Sequence, residues 1–420
     1  MIDNSNVHNK DLSLIWRNKN DTVSFKINEQ NEITNVKWLG GIDKQKAELF
    51  ELVQIESSTN EPVSFPDSFF NAIILGDYSN SLSALSDKYS HDNTLTKPQC
   101  VIFSPPPQFQ DSSLNIFTSE QFLSFCRHLI LKISHLIKDT GFIIVHTYEP
   151  HYSKLKIILD EIFRRENYVG TIIWKKLEQS KLFSHVNLGM NRYYKELFDY
   201  IIIYSKDEKM RNFNKFPPED TLYKNPDNDP RGPWESRPLV ASEKSSNEEY
   251  TYTFKNGLQI TRKFRYARKT LKRYEQENRI HFTKPKTGQG IPRLKIFFSE
   301  RIRKFIETGE GGTTPNSLWI NTKEYGSVQS LLLKLKDHPT LSIHLPFRTE
   351  KVYKKLLHLT SSENDLILDC FSQLGVVLKS AHELKRRWIG IEPNKFNILN
   401  GLIPWLNKCS PLRIYQNISV

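Results

Sequence analysis

The stretch VIFSPPPQFQ (residues 101–110) decides how the chain is read. Val101, Ile102 and Phe103 have the apolar continuity of a buried strand, and Ser104-Pro105-Pro106-Pro107 stops that strand at once. A proline donates no backbone N–H and holds φ near −65°, so the chain must leave the sheet through a stiff, extended turn. Open α/β sheets bind their ligands beyond the carboxyl ends of such strands.

Outward from this turn the pattern is that of a parallel sheet with helical crossovers. Residues 71–77 (NAIILGD) and 99–103 (QCVIF) read as strands. Thr118 and Gln121 stand in capping-box spacing ahead of a helix that buries Phe122, Cys126, Leu129, Ile133 and Leu136. Then follow a strand (GFIIVH, 141–146), a helix through YSKLKIILDEIFRR, and strands TIIW and DYIIIYS. From residue 206 to 310 Asn, Pro, Gly and charge accumulate, as in an inserted domain. The α/β rhythm resumes with helix TEKVYKKLLHL, strand LILDCF (366–371), a helix from Gly375 and strand RWIGIE (387–392). This last stretch is too short to stand alone and is expected to complete the first sheet. The expected division is an N-terminal extension over 1–70, a core half over 71–205, the insert over 206–310 and a second core half over 311–420.

The chain has 420 residues, 38% of them hydrophobic, and no run of eighteen apolar residues. Its first ten residues, MIDNSNVHNK, lack the apolar stretch of a signal peptide. Neither a membrane nor a secreted protein is expected, but a cytoplasmic one, nucleoid-associated if bacterial. Cys100, Cys126, Cys370 and Cys409 stand apart from one another, fitting reduced buried thiols rather than zinc ligands or disulfides. No metal is expected.

The formal net charge of +12 is concentrated in one place. Residues 255–304 contain 16 Lys and Arg against three acids, Glu275, Glu277 and Glu300. Phe264, Tyr266, Tyr274 and Phe282 are interleaved with them. The plain alternative is a solvated basic face, but this density favours a phosphate-binding surface carried by Arg262, Lys263, Arg265, Arg268, Lys269, Lys272 and Arg273.

Several of these segments together resemble the DNA amino-methyltransferases, in the permuted order that places the catalytic motif before the cofactor motif. The resemblance is strongest to the adenine-specific modification subunits of type III restriction systems and covers roughly residues 65–395. It is carried by ILGDYSNSLSAL (74–85), by residues 141–176, by YKNPDNDPRGPW (223–234), and by ENRIHFTK and PRLKIFFSE in the insert. It implies a Rossmann-like, S-adenosylmethionine-dependent methyltransferase sheet with an inserted DNA-recognition domain. It also implies double-stranded DNA as partner and a dimer, of two copies or with an intact methyltransferase subunit. Arg231, in the insert signature, joins the expected DNA-binding set.

In active relatives the proline turn reads Asp/Asn/Ser-Pro-Pro followed by an aromatic residue. The first side chain accepts a hydrogen from the target amine, and the ring stacks on the flipped base. Here Ser104 can still accept, whereas Pro107 offers no ring and forfeits stacking worth roughly 1–3 kcal/mol. The cofactor motif of active relatives is Asp-Pro-Phe-x-Gly-Ser-Gly-Thr-Thr. This chain keeps Asp369, Phe371 and Gly375 but has Gln373, Leu374, Val376 and Val377 where glycine, serine and two threonines stand. Glu392 occupies the position that binds ribose hydroxyls. The turn (Ser104, Pro105, Pro106, Pro107) and the cofactor set (Asp369, Phe371, Gly375, Glu392) are therefore read as vestigial, with S-adenosylmethionine bound weakly or not at all. The expected function is a catalytically impaired DNA-binding recognition or scaffold subunit. The alternative is an active methyltransferase of a restriction–modification or related system, adenine-N6 or, given Ser104, cytosine-N4. His146 and His151 are read as structural histidines.

Overall fold

The computed structural model describes residues 14–16, 18–27, 33–41, 50–57, 71–91, 95–105, 117–176, 197–220, 223–283, 290–325, 348–398 and 413–419. Pro106, Pro107, Phe109 and Cys409 lie outside the described residues. The chain divides into two compact units, one of residues 1–214 with 316–420, the other of residues 215–315.

The larger unit is built on one mixed, mostly parallel sheet of ten strands. Across the sheet their order is Leu318–Trp319, Tyr168–Lys175, Phe198–Ser205, Phe142–Thr147, Cys100–Phe103, Leu366–Asp369, Arg387–Ile391, Ala72–Leu75, Arg413–Ser419 and Phe50–Ser57. Phe198–Ser205 runs antiparallel to both its neighbours, and Phe50–Ser57 closes the other edge antiparallel to Arg413–Ser419. The late strands Leu366–Asp369 and Arg387–Ile391 thus sit between two strands from the first quarter of the chain. From Cys100–Phe103 the chain proceeds toward Phe142–Thr147, and from Leu366–Asp369 it proceeds the opposite way. At such a reversal open α/β sheets take their ligands in the crevice beyond the carboxyl ends of the two central strands.

Every residue of Cys100–Phe103, Phe142–Thr147 and Leu366–Asp369 is buried, which is why these strands read as continuous apolar runs. The helix Ser119–Leu136 begins with the expected capping box. The Thr118 hydroxyl accepts from the Gln121 N–H at 3.2 Å, and the Gln121 carbonyl oxygen accepts from the Thr118 N–H at 2.9 Å. Phe122, Cys126, Leu129, Ile133 and Leu136 are all buried on its inner face. The next helix runs Glu149–Phe163, three residues earlier than its apolar spacing suggests, because Pro150 is tolerated in a first turn. Strand Tyr168–Lys175 is longer than TIIW because it pairs along its length with Phe198–Ser205. Cys100, Cys126 and Cys370 are buried thiols, and burial pushes that of Cys100 up to about 12. No helix among the described residues is long and apolar enough to cross a membrane.

The smaller unit holds a three-stranded sheet (Ile280–Phe282, Pro292–Phe297, Trp234–Pro238) and a hairpin of Glu249–Thr253 with Gln259–Lys263. Helices Arg268–Gln276 and Phe298–Thr308 complete it. Its small core is Leu239, Tyr252, Phe254, Phe264, Leu271 and Leu294. Aromatic residues inside the basic segment therefore serve this core as well as its surface.

Candidate functional site

The two motif loops leave adjacent strands, Asp369 pairing with Ile102 across the sheet, and the Cys370 N–H donates to the Ile102 carbonyl at 3.0 Å. Arg348, just ahead of the helix Glu350–Thr360, reaches into both loops. One guanidinium nitrogen lies 3.3 and 3.4 Å from the Asp369 carboxylate oxygens, and the other donates to the Ser104 carbonyl at 2.8 Å. The side chains of Arg348 and Asp369 are 3% and 0% exposed, so this is a fully buried ion pair. Burial raises the Asp369 carboxyl, and the Arg348 charge and the Phe371 N–H pull the other way.

The loop after Asp369 passes through two left-handed positions, one of them held by a residue that does not suit it. Gln373 has φ 46° and Gly375 φ 74°, both in the left-handed region that glycine occupies without strain. Gly375 leads into the helix Val376–Glu383. Phe371 packs against Tyr78 at 4.5 Å and edge-on to Phe103 at 5.2 Å between ring centres. Gly390 passes beneath, where a Cβ would run into Ser372 and Leu378.

Glu392 is buried, its carboxylate accepting from the Gln373 N–H at 2.7 Å, the Asn394 N–H at 3.0 Å and the Asn397 side-chain amide at 3.1 Å. Burial outweighs these donors and raises its pKa to about 7. Between the usual carboxylate value and about 7 the folded chain therefore holds a proton that the unfolded chain has released. Stability should fall across that window as pH rises, by roughly 3 kcal/mol from this group. Glu392→Gln should remove this slope from urea unfolding measured at about pH 5 and about pH 8. An unchanged slope would place the titration elsewhere.

The residues present fit S-adenosylmethionine poorly. Its α-ammonium needs a carboxylate, and Asp369, at the mouth of the loop, is already neutralised by Arg348. Val376 and Val377 supply no hydroxyl, and Gln373 puts a side chain where glycine would leave room.

A second buried polar chain runs through Tyr353, His146, Asp199 and Lys176. Burial pushes the Tyr353 phenol up to about 12. The Tyr353 hydroxyl lies 2.7 Å from His146 Nδ1, and His146 Nε2 lies 3.1 Å from Asp199 Oδ2. Lys176 donates to Asp199 Oδ1 at 2.7 Å. All four residues are buried. Despite its burial the Asp199 carboxyl is held below the usual range by Lys176 and His146. Tyr353, Lys176, Asp199 and Arg348 were not singled out by sequence, for no local pattern joins positions 104, 146, 176, 199, 348 and 353.

In the smaller unit the signature NPDNDPRGPW forms a self-contained knot. Asn225 accepts the Asp229 N–H at 2.7 Å, and the Asp227 carboxylate accepts from Trp234 Nε1 at 2.9 Å and from Lys295. Arg231 grips Asp229 through two bonds of 2.8 Å, and Lys295 adds a third at 2.9 Å. Arg231, then Lys295, hold the Asp229 carboxyl well below the usual range. The Arg231 guanidinium also donates to the Glu277 and Asn278 carbonyls and stacks on Phe297. It is thus committed inside the unit. Lys263 is likewise directed at the Glu243 and Ser245 carbonyls. Arg262, Arg265, Arg268, Lys269, Lys272 and Arg273 are exposed. Arg262 lies directly across the hairpin from Tyr250, and Arg268 lies over the Tyr250 ring at 5.0 Å, which gathers strand and helix cations around one aromatic.

With this geometry in hand, comparison with known proteins gives the class. Residues 99–399 match the N6/N4 DNA methylase family, and the chain belongs to that family. It is 24% identical over 264 residues to the Type III restriction-modification enzyme StyLTI Mod subunit of Salmonella typhimurium, covering 61% of this chain and 37% of that one. It is 25% identical over 310 residues to the Type II methyltransferase M.EcaI of Enterobacter cloacae, covering 72% and 61%. The chain thus spans less than two thirds of either relative. Among solved structures, the cytosine-N4-specific PvuII DNA methyltransferase aligns at 12% identity over 77% of this chain and 82% of that one, with a TM-score of 0.37.

Proposed function

We propose that this chain is a DNA-binding member of the family in which methyl transfer is suppressed, acting as a recognition or scaffold subunit beside a second copy or an intact methyltransferase. The observation that carries this reading is the buried Arg348–Asp369 pair, which sets the protein's own cation against the carboxylate that opens the cofactor motif. The cytoplasm of a cell that carries a restriction–modification or related system is its proposed location. Double-stranded DNA is the proposed partner, held by the six exposed cations of the smaller unit. Ser104 ends its strand at the crevice, ahead of Pro105, and its hydroxyl is the proposed contact to the amine of a flipped adenine or cytosine. Phe371 and Gly375 serve the loop's packing and turn.

Isothermal titration of the intact chain with S-adenosylmethionine tests the reading. The expected result is no saturable binding. A dissociation constant in the low micromolar range would overturn it.

One observation favours the second reading, an active amino-methyltransferase: Ser104, able to accept from an amine, still ends its strand beside the strand that carries Asp369. Incubation with labelled S-adenosylmethionine and duplex DNA, with no other protein, separates the two. Label on the DNA means a working enzyme, and the modified nucleoside then tells adenine-N6 from cytosine-N4.

A further inference from the structure

The hairpin of Glu249–Thr253 with Gln259–Lys263 has two unlike faces. Side chains alternate across a strand, so Tyr250, Tyr252, Ile260 and Arg262 share one face and Thr251, Thr253, Gln259 and Thr261 the other. Tyr252 belongs to the small core, and Tyr250 and Ile260 pack against it. On the opposite face Thr253, Gln259 and Thr261 are exposed and Thr251 is half-buried. Thr251 stands across from Thr261 with their hydroxyls 2.8 Å apart, and Thr253 stands across from Gln259. The only charged residues of this face, Glu249 and Lys263, are the pair farthest from the turn.

Cations surround this uncharged face without entering it. Arg262 and Arg268 gather around Tyr250, on the other side of the hairpin. In the turn, Lys255 directs its ammonium back toward the Glu275 carbonyl. Uncharged hydrogen-bonding groups in front and cations set back behind them is the division that separates base contacts from phosphate contacts. The major groove of duplex DNA, about 12 Å wide and about 8.5 Å deep, admits a two-stranded ribbon. Cations one packed layer behind such a ribbon come level with the phosphates at the rim of the groove. The hairpin is also held stiffly. Gly257 turns it with φ 83°, and the Glu275 carboxylate accepts from the Tyr252 hydroxyl at 3.0 Å and from the Lys255 N–H at 2.6 Å. Strand and turn are thereby clamped to the helix Arg268–Gln276.

We propose that the outward face of this hairpin enters the major groove of duplex DNA and selects its sequence. Gln259 takes the N6 and N7 edge of an adenine, the pairing its amide geometry suits, and Thr251, Thr253 and Thr261 meet the neighbouring base edges. The inference rests on the reading of the chain as a DNA-binding protein. To cations that hold phosphates of any sequence it adds the element that tells one sequence from another.

Selection by the full chain from duplexes with a randomised stretch is the test. The expected result is enrichment of sequences that share a fixed adenine. Replacing that adenine by 7-deazaadenine removes N7 while keeping the base pair and the minor groove, and should weaken binding roughly tenfold. Gln259→Ala should accept any base at that position, with the slope of affinity against salt unchanged because no phosphate contact is lost. Thr261→Val should relax a neighbouring position in the same way. If both variants select the sequence of the intact chain, or if 7-deazaadenine is bound as well as adenine, the inference falls. Salt-dependent binding with no sequence preference overturns it too and leaves the DNA-binding reading standing. No binding to any duplex overturns both.

Discussion

DNA affinity of the intact chain should fall by roughly three orders of magnitude between about 50 and about 200 mM salt. Arg262, Arg265, Arg268, Lys269, Lys272 and Arg273 are exposed on the smaller unit. If each neutralises one phosphate, the slope of log affinity against log salt is about −5. Lys263 and Arg231 are left out of this count because neither is exposed and both are held by several acceptors of their own unit. Changing the six exposed cations to Gln should flatten the slope toward zero and leave the fold intact, as surface substitutions do. Arg231→Gln should act differently. It strips Asp229 of its bidentate partner and should lower stability while leaving the salt slope nearly unchanged. If the six-fold variant binds with an unaltered salt response, the DNA face lies elsewhere.

Arg348→Met should cost the larger unit roughly 3–5 kcal/mol, the usual penalty for leaving one member of a buried ion pair without the other. The stranded group is Asp369, which has no exposed surface. Its carboxyl is already raised by burial and would rise further without the guanidinium. A raised carboxyl destabilises the fold once ionised, so the loss should shrink as the pH is lowered and the group protonates. Adding Asp369→Asn to Arg348→Met should recover much of the loss at neutral pH. Urea unfolding of the two variants checks both statements. A loss below about 1 kcal/mol for Arg348→Met would mean that the pair is solvated in solution.

The α/β class, the central strands and the capping box at Thr118 were legible because each is a local signal: a continuous apolar run, a helical spacing, a fixed side-chain offset. The two motif loops were legible because Ser104 and Asp369 each end such a strand. What joins those loops was not. Arg348 is an ordinary basic residue in PFRTEK, and only the sheet order brings it within reach of Ser104 and Asp369. His146 was read as a structural histidine, but its partner Tyr353 lies 207 positions away in the chain. The outer strands were hidden for a related reason. Phe50–Ser57 lies in a segment that reads as a polar extension, and Arg413–Ser419 has no clear alternation; each becomes a strand by pairing with the other. Arg231 reads equally well as a DNA contact or as an internal clasp, and its bonds to Asp229 lie within a turn whose shape the sequence does not specify.

The seat of Leu366–Asp369, between Cys100–Phe103 and Arg387–Ile391, also bears on how the protein is made. A ribosome delivers Cys100–Phe103 long before the strand that must lie beside it, with the whole smaller unit synthesised in between. Until then one edge of a fully apolar strand has no neighbour, and parallel pairing across so long a separation is slow. The nascent chain therefore carries a sticky, half-built sheet for most of its synthesis, the condition under which chaperones are most needed. The smaller unit, contiguous from residue 215 to residue 315, can close its own core while the larger one waits.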